Sequence, residues 1–243
     1  MKIVVAGWLL DVIFLVIIFL TNIVQAISGF AGTALAMPFS ISVVGVEFAR
    51  PVLNLVSLAL CVGIVIRNFK HIEWKYALFL ISFMAIGMVG GVFAEPYLKD
   101  PLFLKLYGLG VCLVAVIFFL RPDPPKLPVW IQIIILIAAG FIHGIFVSGG
   151  PLLIIAVRTR KQNKETFRAT VSFLWVILNS ALLTHQAITM QFTLEMLWVI
   201  LAAIPTVIGA LFIGKWLFKK MRDNHFMDFT CLLLFISGFT LLF

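Results

Sequence analysis

Two short stretches interrupt otherwise apolar segments of this 243-residue chain: QAISGFAGTALAMP, from Gln25 to Pro38, and HGIFVSGGPLL, from His143 to Leu153. Gly29 and Gly32 in the first, and Gly149 and Gly150 in the second, let the backbone leave helical geometry and let neighbours approach closely. A helix restarting after each break would present N–H groups without helical partners and the positive end of its dipole. Thr33 is placed to cap the first restarted arm and Ser148 the second; Pro151 suits a first helical turn. Two such arm ends aimed at one point make an anion site.

Polar side chains extend that reading. Gln25, Asn54, His143, Ser172 and Asn179 are expected to line the site, with Asn22, Ser57 and Ser180 as further polar positions; each Ser or Asn can instead make a single interhelical hydrogen bond. The binding set is therefore Gln25, Gly29, Gly32, Thr33, Asn54, His143, Ser148, Gly149, Gly150, Ser172 and Asn179. His143, between apolar residues, can donate to an anion or carry a coupled proton, because histidine titrates near neutral pH. The plainer role is a neutral ring bonded to a backbone carbonyl. Glu47 with Arg50 and Glu165 with Arg168 form two E-x-x-R pairs, read as gating or structural rather than as direct substrate contacts. The acids Asp11, Glu47, Glu95, Asp100, Glu165, Glu195, Asp223 and Asp228 fall near the ends of apolar runs, so none of these carboxylates would repel an anion at the centre.

The two breaks occupy matching places. An ungapped offset of 118 residues lays Gly32 on Gly150, Leu35 on Leu153, Glu47 on Glu165, Arg50 on Arg168, Leu60 on Leu178, Ala85 on Ala203 and Gly91 on Gly209. It also pairs Gln25 with His143 and Asn54 with Ser172. This is an internal duplication, and paired helix interruptions are a sequence pointer to a transport site.

The elements that must hold these residues are membrane helices. Hydrophobic residues make up 63% and charged residues 12%, against about 25% charged in an ordinary soluble domain; mean hydropathy is +1.18. Apolar runs cover roughly 5–27, 33–46, 52–66, 76–94, 102–120, 129–147, 169–184, 194–214 and 226–243, and a span needs ~20 apolar residues. The first run exceeds the usual signal-peptide core and is read as part of the fold. Cys61, Cys112 and Cys231 sit singly in apolar runs, so neither a disulfide, a metal site nor a cofactor is expected. The net charge of +8 comes from loops between runs, which argues against nucleic acid as a partner.

Basic residues also select a topology. If each broken run crosses the membrane once, the better orientation puts 12 of the 18 Lys and Arg inside; if each is a re-entrant hairpin, 14 lie inside and only Lys2, Arg50, Lys99 and Lys105 outside. The second arrangement gives odd halves, which are related by inversion. The expected fold is thus an all-α integral membrane protein of two homologous halves, inverted repeats. Each has a broken or re-entrant helix followed by three transmembrane helices: 1–120, a Pro-rich linker 121–128, and 129–243.

The breaks resemble the signature of the TauE/SafE family of sulfite and organosulfonate exporters, a G-x-G-G-G…P break in the first half and G-x-G-G-P in the second. SGFAGTALAMP matches the first with Ala31 and Thr33 where glycines are usual, and VSGGPLL matches the second with Val147 for its leading glycine. The resemblance spans the whole chain. It implies a transporter of small anions, often sulfur oxyanions or organosulfonates, driven by an ion gradient. The expected partners are then a small anionic substrate, H+ as coupling ion, the bilayer of the inner (plasma) membrane, and a second copy in a homodimer. An anion channel would use the same site without alternating access. An intramembrane serine protease would need GxSG, but AISG at 26–29 and FVSG at 146–149 lack the leading glycine, and no base is assured within reach of the serine; no catalytic residue is expected. A non-transporting scaffold would have no need of two matched breaks.

Overall fold

The computed structural model describes residues 2–97, 101–120, 127–157, 160, 162–189, 192–240 and 242. These residues form ten α-helices: α1 Lys2–Ser28, α2 Ala31–Val44, α3 Val46–Asn68, α4 Trp74–Ala94, α5 Pro101–Leu120, α6 Val129–Phe146, α7 Gly150–Val157, α8 Lys164–Ile188, α9 Leu194–Lys220 and α10 Asp223–Thr240. Among the described residues there is no strand, and six helices are long and apolar enough to cross a bilayer. The order repeats as expected: a broken pair and then three long helices, twice. Most of the expected linker, 121–126, lies outside the described residues, as does Cys231's side chain.

Packing exchanges between the halves. α1 packs on α9, and its counterpart α6 packs on α4, the counterpart of α9; α3 meets α8 and α5 meets α10, each its own counterpart. The α4–α6 contact is made backbone to backbone. A β-carbon on Gly87 or Gly91 would run into the carbonyls of Ile137 and Phe141, and one on Gly140 into that of Met84. Small residues four apart permit this approach where apolar burial gives helices in lipid little drive to associate.

The two short arms fold back on the helices that precede them. Laid end to end, the 27 residues of α1 and 14 of α2 would reach ~60 Å, twice a bilayer core of ~30 Å. α2 instead packs along α1, with Gly32 against the Gln25 side chain, and Gly149 sits against the Ala139 carbonyl and the β-carbon of His143. Both reversals use one device. Gly29 has φ +85° and Val147 φ 54°, and these positions are equivalent by the offset. Each donates its N–H four residues back, Gly29 to Gln25 O at 2.7 Å and Val147 to His143 O at 2.8 Å. This left-handed cap normally takes glycine; in valine it costs roughly 1–2 kcal/mol, and the buried Val147 side chain offsets that cost through its packing.

The capping expectation for Thr33 needs correction. α2 begins at Ala31, so Thr33 is already its third residue; the N-terminal N–H groups of Phe30 and Ala31 go to Ser28 Oγ at 3.3 and 3.2 Å. α7 begins at Gly150, two residues after Ser148. Pro151 does lie in the first turn.

One end of the bundle joins segments from both halves. Gln162 Nε2 donates to Glu73 Oε2 at 2.6 Å, Arg160 pairs with Glu73 and stacks on Tyr76, and Thr170 Oγ1 accepts from Glu73 N at 3.1 Å. Lys164 Nζ donates to Phe218 O at 3.3 Å. The turns after α3, before α8 and after α9 therefore lie together.

Candidate functional site

At the centre of the bundle the structure gathers polar residues that the sequence scatters over 160 positions. Gln25 Nε2, on α1, donates to Ser57 Oγ at 2.6 Å and to Cys61 Sγ at 3.2 Å on α3. Asn179 Nδ2, on α8, donates to the same Ser57 Oγ at 3.3 Å. Asn54 Nδ2 donates to Gln186 Oε1 at 2.8 Å and to Asn179 O at 3.3 Å. The His143 ring lies 4.8 Å from that of Trp175. All of these residues are buried.

The offset organises the cluster into two halves. Gln25, Ser57 and Cys61 of the first correspond to His143, Trp175 and Asn179 of the second. The bond between Gln25 and Ser57 is thus repeated as the contact between His143 and Trp175. Several buried polar atoms here have no hydrogen-bond partner of ordinary geometry among the described residues: Gln25 Oε1, Asn54 Oδ1, both His143 ring nitrogens, Ser172 Oγ, Trp175 Nε1, Asn179 Oδ1 and Gln186 Nε2. An unsatisfied buried polar group costs about 1–3 kcal/mol. Spread along α8 from Ser172 to Gln186, about 21 Å by helical rise, and on the facing helices, these atoms call for something else to bond them.

The breaks meet beside this cluster. A β-carbon on Gly150 would lie 2.9 Å from Phe30 O and 3.1 Å from the Phe30 ring, so the start of α7 touches the turn into α2. Ser172 Oγ would lie 3.4 Å from a β-carbon on Gly29. Thr33 and Ser148 are buried near their breaks. The faces of Gly32, Gly149 and Gly150 that lack a side chain are thus filled by Gln25, by His143 with Ala139, and by Phe30.

The two arginines reach out of their own helices. Arg50 Nη2 donates to Gly144 O at 2.5 Å, and Arg168 Nη1 donates to Ala26 O at 3.0 Å. These are the same contact twice, since both donor and acceptor are equivalent by the offset. Each arginine comes from the early turns of α3 or α8 and holds a C-terminal carbonyl of the other half's broken helix, where the dipole favours a cation. Arg50 also pairs with Glu95 at 2.8 Å, and Arg168 stacks on Phe218 at 4.0 Å. Each guanidinium thus has partners beyond the glutamate of its own E-x-x-R. Glu47 is exposed and Glu165 half-buried.

Sequence reading missed Trp175, Gln186, Ser28 and Glu95, and treated Cys61 as packing alone. Trp175 carried a signal, the offset from Ser57; Gln186 and Glu95 lie near span ends and carried none. Ser180 bonds Val176 O at 2.6 Å within its own helix, not across helices as its plainer reading had it.

No curated protein and no solved structure shows significant similarity to the chain. The family model described as Sulfite exporter TauE/SafE matches residues 14–241. That match takes in both breaks, both arginines and the whole polar cluster. Proteins of this family are multi-pass membrane transporters and not enzymes. The chain belongs to the Sulfite exporter TauE/SafE family.

Proposed function

We propose that this protein is a secondary transporter that binds a small sulfur oxyanion or organosulfonate, such as sulfite or sulfoacetate, between its two helix breaks and moves it by alternating access. The carrying observation is the pair of equivalent polar half-sites, rich in unpartnered atoms, at the point where the breaks touch. Donors suited to an anion come from the second half: the indole N–H of Trp175, the imidazole of His143 beside it and, about one turn away on α8, the hydroxyl of Ser172. Rotating the Gln25 amide by half a turn would keep its bond to Ser57, with the hydroxyl now donating, and turn an N–H toward the unpartnered side. The arm starts add backbone N–H groups in a setting of low dielectric.

Inverted halves fit this reading. In an arrangement of eight simple spans, the turn after α3 and the segment before α8 would lie on opposite faces, whereas Glu73 bonds both Arg160 and Gln162. Bilayer crossing by halves of opposite sense gives each arginine clamp a separate duty at one end. Clamping Ala26 or Gly144 fixes one broken helix against the other half, and exchanging a tight clamp for a loose one is the gating step. H+ is the coupling ion in this scheme, and His143, packed against Trp175, is the imidazole of the cluster.

The test is uptake of labelled sulfite, thiosulfate, sulfoacetate and simple carboxylates into proteoliposomes of the inner-membrane type, with and without a pH gradient. Saturable uptake of sulfur anions, accelerated by the gradient, is expected. Uptake that never saturates would point to a channel, and preference for carboxylates would overturn the substrate class.

A further inference from the structure

Beside the first break lies a cavity of about 180 Å³, bounded by α1, α3, α8 and α9. Its charged lining is Arg67, Arg168, Lys215 and Lys219 against the single carboxylate of Glu165, with apolar walls from residues such as Ile64 and Leu211. We propose that this cavity is a second anion site, a vestibule that captures doubly charged oxyanions or sulfonates at one end of the path through the breaks. Its role in transport rests on the reading above; its capacity to bind does not.

Three observations carry this. Charge comes first: four cations and one acid share a concave space with apolar walls, which concentrates field and raises local anion concentration. Size comes second. A water's share of liquid volume is about 30 Å³, so the cavity holds the equivalent of about six waters, room for a sulfite-sized anion with part of its shell. Position comes third. Arg168, 5% exposed, lines the cavity while its Nη1 bonds Ala26 O, two residues before the end of α1. Its backbone carbonyl would lie 3.2 Å from a β-carbon on Gly29. One side chain thus joins vestibule to break.

The other half has no such basic set. By the offset, Arg67 corresponds to His185, Lys215 to Tyr97 and Lys219 to Pro101, and there Arg50 is neutralised by Glu95. The duplication kept the arginine clamp at both ends and put the basic lining at one. Capture is therefore one-sided, on the end that carries the segments around Glu73 and Lys164.

The experiment compares wild type with Lys215→Gln/Lys219→Gln and with Lys215→Arg/Lys219→Arg. Both lysines are exposed, so the fold tolerates the changes. Labelled sulfite transport is measured in vesicles of phosphatidylcholine alone and with added phosphatidylglycerol, and inorganic sulfate binding is measured calorimetrically in detergent. The Gln pair should raise KM about tenfold at low salt, leave kcat within about twofold, flatten the salt dependence and weaken sulfate binding, and the Arg pair should restore all of these. A wild type that transports while the Gln pair keeps its KM and salt dependence overturns the vestibule, as does a loss confined to kcat. Phosphatidylglycerol stabilising wild type but not the Gln pair, with no sulfate binding, assigns the cavity to a lipid phosphate and overturns it too. Lysine-dependent sulfate binding in a wild type that transports no panel anion keeps the vestibule and removes the transport reading.

Discussion

Replacing Gly150 by alanine tests the contact between the breaks most directly. The new β-carbon would stand 2.9 Å from Phe30 O and 3.1 Å from the Phe30 ring, where ordinary contact begins near 3.4 Å. Phe30 O belongs to the backbone turn into α2, so no side-chain rotation relieves the clash. The breaks must part by about half an ångström, and overpacking of this kind costs about 1–3 kcal/mol. If that strain falls on the bound state, anion affinity drops about 5- to 150-fold. Gly90→Ala serves as the control, since its β-carbon would meet only the Phe141 ring at 3.6 Å, and the exchange favours the helix by up to about 1 kcal/mol. Thermal unfolding in detergent and binding of labelled sulfite to purified protein are the assays. Gly150→Ala should lose melting temperature and affinity together, while Gly90→Ala loses neither. Unchanged stability and affinity in Gly150→Ala would mean that the breaks do not meet as described and that the anion binds elsewhere.

Ser28→Ala should destabilise by about 0.5–2 kcal/mol, as removal of a helix cap does, while Thr33→Ala leaves thermal stability nearly unchanged; equal losses would return the cap to Thr33. Arg50→Gln removes both the Glu95 ion pair and the Gly144 hydrogen bond and should cost about 1.5–3 kcal/mol for the charged hydrogen bond alone, partly recovered on adding Glu95→Gln in a double-mutant cycle of melting free energies. His143→Gln should retain the packing against Trp175 but alter the pH dependence of transport; full activity with an unchanged pH–rate profile would leave His143 a purely structural role. Cysteines at Lys70 and Arg222 should label from the same face of the membrane and one at Lys105 from the other. Labelling of Lys70 and Arg222 from opposite faces would refute the inverted halves and restore eight simple spans.

Much of this protein is written in the sequence. Apolar runs mark the helices because lipid offers no partner for backbone polar groups and each span must satisfy its own. The offset that pairs Arg50 with Arg168 and Gly32 with Gly150 needs only the chain, since duplication leaves its trace residue by residue. Helix starts were less legible. The shift from Thr33 to Ser28 as cap turns on two residues of backbone conformation at Gly29 and Phe30, and several polar residues there had comparable capping propensity. What only the tertiary structure decided was partnership across the halves. That Arg50 holds Gly144, that Gln186 and Trp175 join Gln25 and His143, and that Arg67 shares a cavity with Lys215 all depend on how α3 and α8 pack between the broken helices. A charged or amide side chain in lipid bonds whatever polar group packing brings within about 3 Å, and its sequence neighbours do not fix that group.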